Sequence, residues 1–178
     1  MTEPEHFDLD ARVKVDKIPA EGRVVTIETD DDQRTHLADR FQVSAVNAFA
    51  ATVTATRFRG GVRAQGRVTG EVVQPCVITR DPVVQKIDEP VDRVFLPGRH
   101  RADDAGAGAE VFVNLEDEDF PDYFEGDEID LADLVMEVFA LAIDLYPRAP
   151  GAHLPDGVSG DDPAEASPFA ALKSLKKD

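Results

Sequence analysis

Apolar and polar positions alternate in two short runs near the start of the chain. Ala11-Arg12-Val13-Lys14-Val15 alternates strictly and Arg23-Val24-Val25-Thr26-Ile27 is β-branched, so each predicts a strand. Ile18-Pro19-Ala20-Glu21-Gly22 between them has turn chemistry. The period then changes. Leu37 and Phe41 share a face only on a helix through Gln33 to Arg40, for which Asp30 to Asp32 are N-cap candidates. His36 lies off that face and reads as a surface residue.

The middle of the chain is β-rich. Ala48 to Phe58, Val62 to about Val77 and Val83 to Leu96 predict three strands, with Arg59-Gly60-Gly61 interrupting the first two. A two-residue Gly60-Gly61 loop would set Arg59 opposite Val62. A three-residue Arg59-Gly60-Gly61 loop sets Phe58 opposite Val62 and Thr56 opposite Ala64 and makes one apolar face, so it is the expected one. One residue of slip exchanges the faces. With the longer loop, Arg57, Arg63 and Arg67 project together on the other face as a basic patch.

Gly98 to Gly108 reads as a loop and Glu110 to Leu115 as a further strand. Glu116 to Gly126 is an acidic loop with three aromatics. Asp130 is an N-cap candidate with Asp133 in the capping-box position. Leu131, Leu134, Val135, Val138, Ala142 and Leu145 form one stripe of a helix that Pro147 should stop. The first 149 residues are expected to form one domain, residues 150–166 a Gly/Pro/Asp-rich linker, and residues 167–178 a short helical tail. In that tail Ser167 is the N-cap, Pro168 stands at N1, and Phe169 and Leu172 share a face. The fold class expected is α+β: a curved, largely antiparallel sheet or partly open barrel with two covering helices and a short C-terminal helix.

Composition sharpens this picture. The 178 residues carry a net charge of −17. From Ala102 to Pro147 there are fifteen Asp and Glu without one Lys or Arg, leaving a net of −2 elsewhere. Such a field repels phosphate backbones and attracts basic partners, although acidic surfaces also serve plain solubility. No apolar run is long enough to span a bilayer, the acidic N-terminus lacks a secretory h-region, and a single cysteine excludes an internal disulfide; the expected compartment is the cytoplasm.

Motifs for chemistry are poor. Neither phosphate-binding glycine pattern is present. Cys76, in a β-rich run, reads as an inert, partly buried thiol. Asp127, Glu128, Asp130 and Asp133 could offer oxygen ligands to a divalent ion, but a capped helix start accounts for the same residues. No catalytic residue, cofactor or metal site is assigned.

Three segments resemble the YceD family of large ribosomal RNA subunit accumulation proteins. They are Gly66 to Val83, with Phe95-Leu96-Pro97 closing the next strand; Asp127 to Glu137, continuing through Leu141-Ala142 to Tyr146-Pro147-Arg148; and Pro168-Phe169-Ala170-Ala171-Leu172 through Lys176. The resemblance spans about residues 10–177, and Tyr146-Pro147-Arg148 followed by Pro150-Gly151 is similar to an alphaproteobacterial branch. Many family members carry Cys-x-x-Cys where this chain has Cys76 and Thr79. The resemblance implies a non-catalytic role in accumulating large-subunit (23S) ribosomal RNA. The family's genes commonly adjoin one for a small basic large-subunit ribosomal protein. That protein or the pre-ribosomal particle is therefore the expected partner, with no membrane and no small-molecule substrate. The residues expected to hold it are Glu116, Asp117, Glu118, Asp119, Asp127, Glu128, Phe169 and Leu172. The alternatives are weak ribosomal RNA contact through Arg57, Arg63 and Arg67, and a divalent-metal hydrolase on the helix-start carboxylates.

Overall fold

A computed structural model describes residues 9–98 and 121–153. Strands β1 (Arg12–Lys14), β2 (Arg23–Glu28), β3 (Ala45–Phe58), β4 (Gly61–Pro75), β5 (Pro82–Pro97), β6 (Asp122–Phe124) and β7 (Glu128–Asp130) accompany helices α1 (Asp31–Phe41) and α2 (Leu131–Leu141). The class is α+β. Five strands form one sheet in the order β2-β3-β4-β5-β6, which does not close into a barrel among the described residues; β1 and β7 pair separately. Neighbours are antiparallel from β2 to β5, but β6 joins in parallel, Phe95 opposite Asp122, so the sheet is mixed. The two expected N-terminal strands thus serve different sheets.

One face of the large sheet carries the core. Val53, Ala55, Val62, Ala64, Val68 and Val72 are buried there together with Leu37 of α1 and Leu131, Val135 and Phe139 of α2. Each fully buried Val, Leu or Phe side chain among them contributes about 1.5–3 kcal/mol before ordering costs. The Phe139 ring meets Phe49 edge-on at 4.9 Å between centroids and Phe41 at 5.4 Å.

α1 starts as expected. The Asp30 carboxylate accepts from the Gln33 N–H at 2.8 Å and the Gln33 side chain accepts from the Asp30 N–H at 3.0 Å, a reciprocal box. At α2 the reciprocal half is missing. Asp130 accepts from the Ala132 N–H at 2.9 Å, while Asp133, one methylene shorter than the usual Glu, lies 3.9 Å from Arg40. The helix also ends earlier than Pro147. The Gln85 amide donates to the Ala142 carbonyl at 2.7 Å and accepts from the Asp144 N–H at 2.9 Å, which takes the backbone out of the helix at Ala142. Leu145, expected on the buried stripe, is therefore exposed, and Phe139, which that stripe passes over, is fully buried.

Candidate functional site

The geometry of the basic patch follows from the β3–β4 turn. Phe58 pairs with Gly61, leaving a two-residue loop of Arg59 and Gly60, with φ of 48° and 82°. Two positive φ values give the turn whose twist matches the flanking strands. Both loops weighed from the sequence are thus incorrect, and the expected three-residue one is a residue too long. The observed register sets Ala55 opposite Ala64 and Arg57 opposite Val62, so small apolar residues of both strands share the core face.

The arginines are divided as a result. Arg57 falls on the other side of β3 from Arg63 and Arg67, and its guanidinium donates to the Ile18 carbonyl at 2.9 Å and the Asp16 carbonyl at 2.7 Å. The expectation of three arginines on one face is corrected to two. Those two are ion-paired. Arg63 holds Asp92 with two parallel hydrogen bonds of 2.8 Å, Gln65 adds a third at 2.9 Å, and Arg67 pairs with Asp88. The Asp92 carboxyl is held below its usual range, chiefly by the hydrogen bond from Arg63. Beside them, Arg59 stacks over the Phe58 ring at 5.0 Å. Arg57, Phe58, Arg59, Phe124 and Asp127 line an open cleft of about 500 Å³ at this end of the sheet.

The carboxylates at the α2 start are positioned by the β1–β7 pair, which sets Lys14 opposite Glu128 and Arg12 opposite Asp130. Lys14 Nζ lies 3.0 Å from Glu128 and 3.8 Å from Asp127. The hydrogen bond that Lys14 donates to the Glu128 carboxylate raises the lysine's pKa. Asp130 accepts from Arg12 at 3.5 Å. Asp127, Glu128, Asp130 and Asp133 therefore each face a cation. Among the described residues, no three His, Cys, Asp or Glu side chains are grouped as a metal would need. Glu116, Asp117, Glu118, Asp119, Phe169 and Leu172 lie outside the described residues.

Cys76 is fully buried. Its Sγ accepts N–H groups from Ala149 at 3.3 Å and from Ile78 and Thr79 at 3.4 Å. These donors, Ala149 first and Thr79 next, lower the thiol's pKa to about 6. The sulfur thus ties the β4–β5 turn to the chain beyond α2, and the Val77 N–H, donating to the Pro147 carbonyl at 2.9 Å, adds to the tie. Sequence reasoning missed Gln85 as the residue that ends α2. Its signal was present: Gln85 stands between Val83 and Ile87 at inward-facing positions of β5, a polar residue where the alternation calls for an apolar one.

Residues 64–176 match the family model described as Large ribosomal RNA subunit accumulation protein YceD. The chain belongs to this family. The match takes in β4, β5, α2, Cys76 and the tail residues Phe169 and Leu172, and it begins after β1 to β3 and α1. The three segments that carried the resemblance all fall inside it. No curated protein and no solved structure gives a significant match. The family's description assigns the chain to accumulation of the large ribosomal RNA subunit, a ribosome-biogenesis role, and names no reaction. Among the described residues no helix is long and apolar enough to cross a membrane.

Proposed function

We propose that this YceD-family protein promotes accumulation of 23S ribosomal RNA without catalysis, by holding a basic large-subunit ribosomal protein on its acidic side. The observation that carries this reading is the charge distribution: fifteen acids and no base from Ala102 to Pro147. Glu116, Asp117, Glu118 and Asp119 supply most of the contact, and Asp127 and Glu128 extend it. The last two are shared with Lys14, so they contribute field more than free ligands. A basic partner is steered by such a surface, whereas RNA is repelled by it.

Direct RNA contact is the weaker reading. Its three arginines do not share a face, and Arg63 and Arg67 already meet Asp92 and Asp88. Neutralised cations release few counterions on binding phosphate. The deciding experiment is affinity capture of the full chain from cells of its source, with and without nuclease. A basic large-subunit ribosomal protein should remain bound after RNA is removed; recovery only through intact RNA would overturn the proposal.

A further inference from the structure

Four large apolar side chains stand in water at one end of the molecule: Leu141 is 77 % exposed, Leu145 80 %, Tyr146 70 % and Val77 43 %. Single exposed residues need no explanation, but a cluster marks a surface that something covers. Leu141, Leu145 and Tyr146 belong to one short segment that ends α2 and leaves it, and the Val77 N–H, bonded to the Pro147 carbonyl directly after Tyr146, brings Val77 to its end. They are also held in place. Gln74 donates to the Asp144 carbonyl at 3.0 Å, Gln85 bonds both Ala142 and Asp144, and the Asp144 carboxylate accepts from the Tyr146 N–H at 2.8 Å. The backbone under the patch is therefore fixed with its apolar side chains turned outward.

We propose that this patch is the docking site of the chain's own C-terminal segment, residues 167–178, through Phe169, Leu172 and Leu175. The inference is independent of the ribosomal partner. Three observations select this occupant. The first is connectivity. The described chain reaches His153 six residues after Pro147, and fifteen residues then separate His153 from Phe169. A flexible tether of that length spans about 20 Å root-mean-square. It holds the segment near the patch at an effective concentration on the order of millimolar.

The second is chemical fit. Phe169, Leu172 and Leu175 recur every third residue, and beyond His153 the other Leu, Val, Ile, Met or aromatic residues are only Leu154 and Val158. Residues 137–148 around the patch have a net charge of −1, against +2 for residues 167–178 with Lys173, Lys176 and Lys177. The third is that the bounds of the family match, residues 64–176, take in both the patch and the segment through Lys176.

The test uses the full-length chain with two double substitutions, Phe169→Ser with Leu172→Ser on the segment and Leu145→Ser with Tyr146→Ser on the patch. The patch pair is exposed, so its loss leaves the core intact. Each pair should raise amide hydrogen exchange at Val77 and across residues 141–147 several-fold and lower the melting temperature. Combining them should do no more than either alone, because both remove one contact. A synthetic peptide of residues 167–178 should restore protection to the Phe169→Ser, Leu172→Ser chain. With millimolar effective concentration, a dissociation constant up to about 100 µM in trans keeps the site roughly nine-tenths filled in cis. Unchanged exchange on altering Phe169 and Leu172, additive effects of the two pairs, or absence of peptide binding would each overturn the proposal. So would protection that rises with protein concentration, which would assign the patch to a second copy. Protection that appears only on adding a basic ribosomal protein would assign it to that partner and equally end the self-docking inference.

Discussion

The ring of Phe139 occupies the space that a side chain at Gly70 would need. A Cβ built on Gly70 would lie closest to the Ala48 carbonyl oxygen and 2.5 Å from Phe139 Cε2, so backbone and ring both crowd it. α2 therefore settles onto β4 at a residue without a side chain, with Phe49 and Phe41 closing around the ring. Gly70→Ala should destabilise the fold by about 1–3 kcal/mol through overpacking. Phe139→Ala should cost about 3–5 kcal/mol through the cavity it leaves. Equilibrium urea unfolding reads both. Gly70→Ala combined with Phe139→Leu should be less destabilising than the sum of the two, since the smaller side chain relieves the ring's share of the crowding while the Ala48 carbonyl keeps its own; simple additivity would contradict the packing.

The β3–β4 turn makes a second prediction. Gly60 has a φ of 82° and no atom within 4 Å of a built Cβ, so a substitution there meets only backbone strain. Gly60→Ala should cost roughly 1 kcal/mol, while register and ion pairs persist. A neutral effect in thermal unfolding would mean that the turn is not held in the left-handed region.

These two places show what the sequence could and could not carry. The alternation of β3, β4 and β5 and an N-cap among Asp30 to Asp32 are local patterns, and they were legible; the reciprocal box with Gln33 was not read, and the one expected at Asp130 is half absent. The register was not, because Arg59-Gly60-Gly61 supports several loops and a non-glycine residue at positive φ leaves no mark in composition. The α2 terminus was not either: its cap comes from Gln85, 57 residues away along the chain. The stripe drawn from Leu131 to Leu145 follows one helical face, yet α2 buries a wider arc that includes Ala132, Met136 and Phe139. The basic patch failed as a consequence of the register, since a single-residue shift moves Arg57 to the opposite face.

Asp92 should make stability depend on pH in a defined direction. Arg63 and Gln65 hold its folded pKa below the unfolded value, so the stabilisation is complete above the unfolded pKa and is lost as pH falls through the folded one. The pair is partly exposed, so the effect is modest and weakens with salt. In urea titrations, Asp92→Asn should be less stable than the parent near neutral pH, with the difference shrinking in acid. A gap that stays constant down to strongly acidic pH would remove Asp92 from the account.

Cys76 carries the opposite end of the pH scale. Its folded pKa is about 6 against 9.0 for an ordinary thiol, because the Ala149 N–H, then the Thr79 side chain and N–H, and last the Ile78 N–H are directed at the sulfur. Between those values the unfolded chain binds a proton that the folded chain does not. Stability should therefore rise from about pH 6 to about pH 9, and this contribution is lost as pH falls through 6. Thiolate absorbance of the native protein should titrate near pH 6, and Cys76→Ser should abolish both the absorbance change and that part of the stability slope. A native thiol titrating near 9 would show that these donors do not act on the sulfur.

The acidic stretch gives the prediction that bears most directly on function. Reversing Glu116, Asp117, Glu118 and Asp119 to Lys changes the charge by eight, from −17 to −9. Steering depends on the summed field over a surface, so its loss should appear first in the association rate with a basic partner, by roughly tenfold or more at low salt. Dissociation should quicken as well but by a smaller factor, because long-range steering acts on the encounter while short-range contacts that remain still hold the bound partner. Raising ionic strength should reproduce the same loss in the parent, since the Debye length falls from about 10 Å at 0.1 M to about 3 Å at 1 M. The quadruple variant should then show a flatter salt dependence, with the two proteins converging at high salt. Surface-plasmon kinetics with the ribosomal protein recovered by nuclease-resistant capture would measure all of this. Equal association rates for the two proteins at low salt would mean that the acids serve solubility alone, and the partner would have to be held elsewhere.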